Sequence, residues 1–462
     1  MKQLAAFLLI LSVLIPQMGC SNRDPMDLEV ARAKIDPVVF DDDYSPDVYF
    51  QAFFQTNVVA VQLDSVFAYN GYAPDGARSL KINIPPSGSA LGAYSGGVLT
   101  SVASRDLMDY NALSFWARAD KDISLDLVGF GNDNTGTSLY EASRAGIALT
   151  RDWQHFIVPI PDPSKLIAER GLFTFAEGVE EQYPDGYDIW VDEIRYDKVD
   201  SLSIFRPTLQ SVNRQYFVGS TANLGGASTV FQYRNGFVPV AHSPNYFDFV
   251  SSDPSVATVS QGRVRVIGVG STTITATLQG KDVLGSVRVA GFQPPRVAPP
   301  MPTLPASDVI SMWSDSYPNV PIDTWRANWG GVTTQVEDYS VANRHMKLYS
   351  SLNYVGIEFL TKKIDASSMT HLHVDVYAPA GTNFRLKLVS FPSQLTHSVE
   401  TPEKIFNASS TPAFNSGTWS FLEIPLTDFQ LPTDWDWSSI GQLVLASTDA
   451  QLVLVDNLYW HK

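Results

Sequence analysis

The chain has 462 residues, a formal charge of −16 and 12% aromatic residues. So negative a surface argues against nucleic acid and anionic lipid headgroups as partners and is compatible with neutral polymers. A single cysteine excludes an intrachain disulfide framework, and the length suffices for two to four domains. Lys2 precedes an apolar stretch, Leu4 to Ile15, that is too short to span a bilayer and ends in Pro16-Gln17-Met18-Gly19-Cys20. Residues 21–35 are polar and read as a tether. From there the chain is a succession of short alternating runs. SLKINI (79–84), ALSFWARA (112–119), ISLDLVGF (123–130) and DIWVDEIRY (188–196) each carry the period-2 pattern of a half-buried strand. Helical periodicity is scarce, with Pro163 to Gly171 the best short candidate. A boundary falls near Lys198 to Arg206, and the Pro-rich segment 291–304 reads as a semi-rigid linker.

An internal repeat joins the two ends. DYSPDV (43–48) matches DSYPNV (315–320), and AYSGGV (93–98) matches NYVGIE (353–358). Asp106 and Asp365 stand at equal distances before Leu113 and Leu372. Trp153, Pro159 and Asp162 match Trp419, Pro425 and Asp428 at identical spacing, and VDEIRY (191–196) matches VDNLYW (455–460). Two copies of one fold follow, residues 36–200 and 305–462, with a different unit, 206–290, between them. Short strands with polar turns and no disulfide point to antiparallel two-sheet sandwiches in an all-β chain.

Several motifs resemble known families. The apolar stretch ending at Gly19-Cys20 resembles a bacterial lipoprotein signal (residues 1–20), which implies lipidation of Cys20, although Gln17 departs from the aliphatic residue preferred there. LSFWARA, ALTRDWQHFIVPI and WVDEI look like the jelly-roll, galactose-binding-like carbohydrate-binding modules of polysaccharide-degrading bacteria. SVASRDLMDYNALSFWARA and GYDIWVDEIRY resemble a module found beside laminarinase-type family-16 glycoside hydrolases. ISMWSDSYPNVPIDTWRANW, MTHLHVDVYAP and VDNLYWHK resemble the C-terminal module of the same enzymes. SSDPSVATV, GRVRVIGVGSTTITATL and GSVRV (252–289) resemble the group 2 bacterial Ig-like domain, a spacer. The resemblances imply two jelly-roll modules flanking one Ig-like sandwich. They imply a lipid-anchored protein of the bacterial cell surface, on the outer membrane, capturing a glycan such as the β-glucan laminarin and working with outer-membrane glycan uptake proteins. The rival expectations are a surface adhesin or structural lipoprotein, and an accessory of a glycoside hydrolase system with hidden activity.

Catalysis finds no support in motifs. A glycosidase needs two carboxyls ~5–10 Å apart in a cleft, and no local signature pairs them; no GxSxG, HExxH or P-loop is present. Sugar binding needs flat apolar faces with polar groups at the rim. Trp325 and Trp329 sit in the turn-rich DTWRANWGG, and Tyr354 in the repeated NYVG. On 371–377, Leu372, Val374 and Val376 alternate with His371, His373, Asp375 and Tyr377, so His373, Asp375 and Tyr377 join the candidate glycan-binding set. In the first copy the candidates are Tyr94, which matches Tyr354, and Trp116. Phe53 stands where the second copy has Trp325. Trp153 and Trp419 are expected in the core. No cofactor is expected, but the modules resembled often hold a structural Ca²⁺, which would fall to Asp43 with Asp192 and to Asp315 with Asp456.

Overall fold

The computed structural model describes residues 34–53, 61–65, 76, 78–90 and 92–462. Cys20 and the apolar stretch before it lie outside these residues. The described chain is almost entirely β, with no α-helix, and Pro163–Lys165 is a single 3-10 turn capped by Asp162 where a longer helix was expected. The Asp162 carboxylate accepts from the Ser164 N–H, and the chain turns directly into the strand Glu169–Gly178.

The first sandwich pairs two antiparallel sheets. In one, Tyr187–Asp197 lies between Ala112–Ala119 on one side and Val38–Asp41 and Arg78–Ile84 on the other. The other carries Val48–Ala52, Tyr94–Arg105, Glu169–Gly178, Leu127–Phe130 and Ala142–Arg144 in that order. This second sheet does not end at the expected boundary. Ala142–Arg144 pairs with Gly236–His242, which pairs with Ala227–Tyr233 and then Leu202–Leu209, so one sheet runs from the first sandwich into the middle of the chain. Their apolar residues form one continuous core. The middle unit adds Val212–Phe217, which lies parallel to Val287–Phe292, and a small sheet of Thr221–Asn223, Arg263–Val266 and Ala257–Ser260.

The C-terminal sandwich repeats the first. Leu452–His461 takes the place of Tyr187–Asp197, flanked by His371–Tyr377 on one side and by Val309–Trp313 and Arg344–Ser350 on the other. Its partner is a five-stranded sheet of Tyr354–Glu358, Ile440–Ala446, Phe384–Ser390, Val399–Glu400 and Lys404–Phe406. The repeat extends to a defect. Both long strands carry a bulge just after the matched aspartates Asp192 and Asp456, and the next residues, Glu193 and Asn457, both adopt a left-handed backbone at φ 46°. A smaller apolar cluster of Phe217, Tyr339, Met346, Tyr377 and Leu454 joins the middle unit to the C-terminal sandwich.

Candidate glycan-binding face and its surroundings

The alternation of Tyr354–Glu358 sends Val355 and Ile357 into the core and leaves Tyr354, Gly356 and Glu358 on the outer face of the five-stranded sheet. Register sets three rows across that face. Tyr354 lies beside Ala446 and Arg385, Gly356 beside Val444 and Lys387, and Glu358 beside Gln442. With strands ~4.8 Å apart, the strands Tyr354–Glu358, Ile440–Ala446 and Phe384–Ser390 make a floor about 10 Å wide. Small residues dominate its centre, and Trp329 lies across it. A Cβ at position 356 would stand 2.3 Å from the indole, so only glycine lets the ring lie flat there. The loop before it is pinned as an extra edge: the Thr324 and Ala327 N–H groups donate to the carbonyls of Glu358 and Gly356, and Arg326 Nε donates to Thr334 O at 2.6 Å. Tyr354 stacks on Trp329 at 6.4 Å and 25°, and its hydroxyl donates to Gly330 O. The polar rim is organised too. Gln442 donates to Glu358 at 2.9 Å, Arg385 to Glu403 at 3.1 Å and Lys387 to Glu400 at 2.5 Å.

Trp325 does not join this face. It meets Trp313 edge-on at 5.6 Å, and the Lys347 ammonium sits 3.8 Å and 4.8 Å from the two ring centres while donating to Asp338. This is a half-buried cation–π cluster at the sandwich edge, packed against the core. Nothing in the DTWRANW motif distinguishes the two indoles; the signal that does is the glycine at 356, spaced for a ring to lie on.

His373 and Asp375 lie on the outer face of the other sheet, away from Trp329 and Tyr354. The alternation is as expected, with Leu372, Val374 and Val376 fully buried, but half of the outward set is covered. Tyr377 is only 8% exposed because the middle unit's Phe217 packs against it. Asp375 is buried beneath the bulge, where its Oδ2 accepts from Asn457 at 2.7 Å. His373 is held between two carboxylates, Glu423 at 2.6 Å and Asp375 at 3.0 Å, and lies flat on Tyr459 at 4.7 Å. Burial disfavours its charge, but the bonds to Asp375 and Glu423 outweigh that and hold its pKa at about 9. Glu423, desolvated yet bonded to His373 and His461, is drawn down to about 2.

The first sandwich splits its candidates in the same way. Tyr94 lies on the sheet corresponding to the Trp329 face, its side chain over Gly96. Phe53 contributes to a cavity of about 190 Å³ on that face with Leu127, Gly129, Asn132, Glu141 and Thr174. Residues 54–60, which would correspond to the Trp329 loop, lie outside the described residues. Trp116 is on the opposite sheet, edge-on to His155 at 5.4 Å. Trp153 is buried, as expected of a core residue, whereas Trp419 is half-buried and donates Nε1–H to Val297 O at 2.8 Å, tying the linker to the sandwich.

Of the aspartates expected to hold calcium, Asp43, Asp315 and Asp456 meet basic side chains of the chain itself. Arg344 lies between Asp315 and Asp456, 3.3 Å and 3.4 Å from their oxygens, so the chain supplies the cation itself. Asp315 also accepts from the His345 N–H at 2.9 Å. In the first copy Asp43 turns outward to Arg78 at 3.0 Å. Asp192 stays buried, and desolvation, with Asp42 and Glu193 nearby, raises its pKa to about 7. Elsewhere in the same copy, fully buried Arg105 donates to the carbonyls of Asp36 and Val38, to Ser45 Oγ and to Asp47. Two carbonyls, a hydroxyl and a carboxylate are an oxygen set suited to a hard cation; here a guanidinium takes it.

No known protein family matches the sequence, and no curated protein matches it. Solved structures similar to it include several carbohydrate-binding modules and an exo-β-agarase. One is a family 30 module of a cellulosomal cellulase of Clostridium thermocellum, 18% identical, covering 36% of this chain and 96% of that one at a TM-score of 0.25. Another is a family 11 module from Clostridium thermocellum in complex with a β-1,3-1,4-mixed-linked tetrasaccharide, 13% identical, covering 29% and 85% at 0.23. A third is a family 28 module described as specific for non-crystalline cellulose, 15% identical, covering 30% and 86% at 0.24.

Proposed function

We propose that the protein binds a polysaccharide through the outer face of its C-terminal five-stranded sheet. The observation that carries this reading is Trp329, laid across Gly356 beside Tyr354, with Glu358, Gln442, Arg385 and Lys387 on the same face. A pyranose presents an apolar C–H surface to such a ring and hydroxyls to such a rim. The glycan we propose is a β-glucan such as laminarin, on the resemblance of the ISMWSDSYPNVPIDTWRANW and VDNLYWHK motifs. Lipidation of Cys20 would hold the protein at the bacterial surface, on the outer membrane, where bound glycan passes to uptake proteins. The activity is capture without turnover.

Affinity electrophoresis against a polysaccharide panel tests this. The chain is retarded by laminarin or a related β-glucan, Trp329→Ala abolishes most of the retardation, and no reducing sugar is released. Unchanged mobility in every polysaccharide would instead favour the adhesin reading. Retention by a different polymer that still depends on Trp329 would keep the site and replace the ligand.

A further inference from the structure

The outer face of the sheet built around Leu452–His461 carries a second cluster, apart from the proposed glycan face. Strand alternation in HLHVDVY, FLEIP and NLYWH puts His371, Glu423 and His461 on one side of three neighbouring strands. His371 and His461 are direct cross-strand partners, and their rings stack at 5.1 Å and 8°. Glu423 stands on the adjacent strand, opposite His373. One ligand atom from each of His371, Glu423 and His461 falls within 4.8 Å of the others, and this is the one such group of three among the described residues. Metal–ligand bonds of about 2.1 Å set donor atoms about 3.4 Å apart, so small side-chain rotations would close the set around an ion.

Two further contacts have the character of a prepared site. His461 Nδ1 lies 2.8 Å from Lys462 O, and the N–H that bond requires leaves the Nε2 lone pair of the neutral ring facing Glu423 Oε1. A lone pair against a carboxylate is held only by a cation between them, either a proton or a metal ion. His373 Nδ1 bonds the other oxygen of Glu423 at 2.6 Å and is itself oriented by Asp375, a second layer of the kind that aims ligating carboxylates. The flank is a shallow pocket walled by Pro300, Met301, Phe421 and Tyr459, which leaves an approach from solvent.

We propose that His371, Glu423 and His461 bind a divalent transition-metal ion of the zinc class, clasping three strands of the C-terminal sandwich. Two imidazoles and one carboxylate suit such an ion and do not suit calcium, which takes six to eight oxygens. His373 is a positioning residue.

Isothermal titration of the chelator-treated full chain with Zn²⁺ tests the site, with Co²⁺ as a spectroscopic probe. One equivalent of zinc is expected to bind and to raise the melting temperature, and cobalt to develop visible d–d bands. His371→Gln and His461→Gln each weaken zinc binding about 100-fold or more, and His373→Ala weakens it about tenfold, whereas exposed His397→Gln binds normally. Calcium does not compete. The proposal is overturned if the wild-type chain takes up no stoichiometric zinc and gives no cobalt bands. It is equally overturned if the His371→Gln His461→Gln double variant binds zinc as tightly as the wild type. Should the histidine variants fail to fold, the wild-type cobalt spectrum and zinc stoichiometry decide alone.

Discussion

The two sandwiches share a strand order and a bulge, yet their corresponding faces are finished differently. In the C-terminal copy the edge strand Tyr354–Glu358 is bordered by a pinned loop that lays an indole over a glycine. In the first copy Tyr94 covers Gly96, and Phe53 stands by a small cavity. On the far side, the first copy's sheet runs on into the middle unit, while the C-terminal sheet ends in short strands at Val399–Glu400 and Lys404–Phe406. One fold can thus present an open face or share its sheet with a neighbour, and what decides is which residues border the sheet. The cations near the N-terminal strands differ as well: Arg105 is wholly enclosed, whereas Arg344 is partly exposed.

The largest effect that would sharpen this contrast is on Arg105. Arg105→Ala leaves the Asp36 and Val38 carbonyls without this donor and Asp47 with Lys34 alone, and each buried acceptor left unsatisfied costs about 1–3 kcal/mol. The first sandwich should melt early or not fold, while Arg344→Ala should shift the C-terminal transition much less; calorimetry resolves the two. Trp325→Ala should destabilise the C-terminal sandwich by about 3 kcal/mol, near the lower end for loss of a packed aromatic, with glycan affinity kept when measured below the melting temperature. Trp329→Ala should do the reverse, losing about 2 kcal/mol of binding, roughly thirty-fold, with little change in melting. Tyr94→Ala should leave affinity within about twofold, the margin of a contact that carries little binding energy. Titration calorimetry showing equal losses from Tyr94→Ala and Trp329→Ala would break the contrast and make both faces binding sites.

Electrostatics divides the copies more gently. Glu177 in the first sandwich is raised to about 7, chiefly by burial. Its folded state favours the proton, so stability is highest at low pH and falls as pH rises from the ordinary glutamate range through about 7. His373, raised to about 9, contributes stability that is complete below the ordinary histidine pKa and lost as pH rises through 9. Glu423, lowered to about 2, contributes above the ordinary range and loses it as pH falls toward 2. Melting curves between pH 7 and 9 should therefore show the C-terminal transition falling and His373→Ala removing that slope. The smallest effect is calcium's. Added to metal-free protein at millimolar concentration, it should leave both transitions in place; a rise would mean that Asp192 and its neighbours hold an ion, since binding to the folded state alone stabilises it.

Much of this was legible in the residues. Alternation identified the strands, and the spacing of Trp, Pro and Asp anchors revealed the repeat, whose long strands bulge just after the matched aspartates Asp192 and Asp456. Alternation also assigned Leu372, Val374 and Val376 inward correctly. It could not say what covers the other side, so Tyr377, in phase with His371 and His373, lies against Phe217, more than 150 residues away in sequence. Nor can period-2 patterns tell one sheet's outer face from the other's, so the pattern alone does not separate His373 from Tyr354, which lie on different sheets. Arg344, which lies between Asp315 and Asp456, escaped for a related reason: a guanidinium and a metal ion ask for the same oxygens, and a motif of aspartates records only the acceptors.

The parallel pair Val212–Phe217 and Val287–Phe292 has a mechanical consequence. The chain enters the first of these strands at its beginning and leaves the second at its end, and six residue pairs hold them in register. Tension applied between the chain before Val212 and the C-terminal sandwich would pull the two strands past each other lengthwise. Their backbone bonds would then be loaded together in shear rather than opened one by one. Two strands joined this way resist extension of the chain along that line.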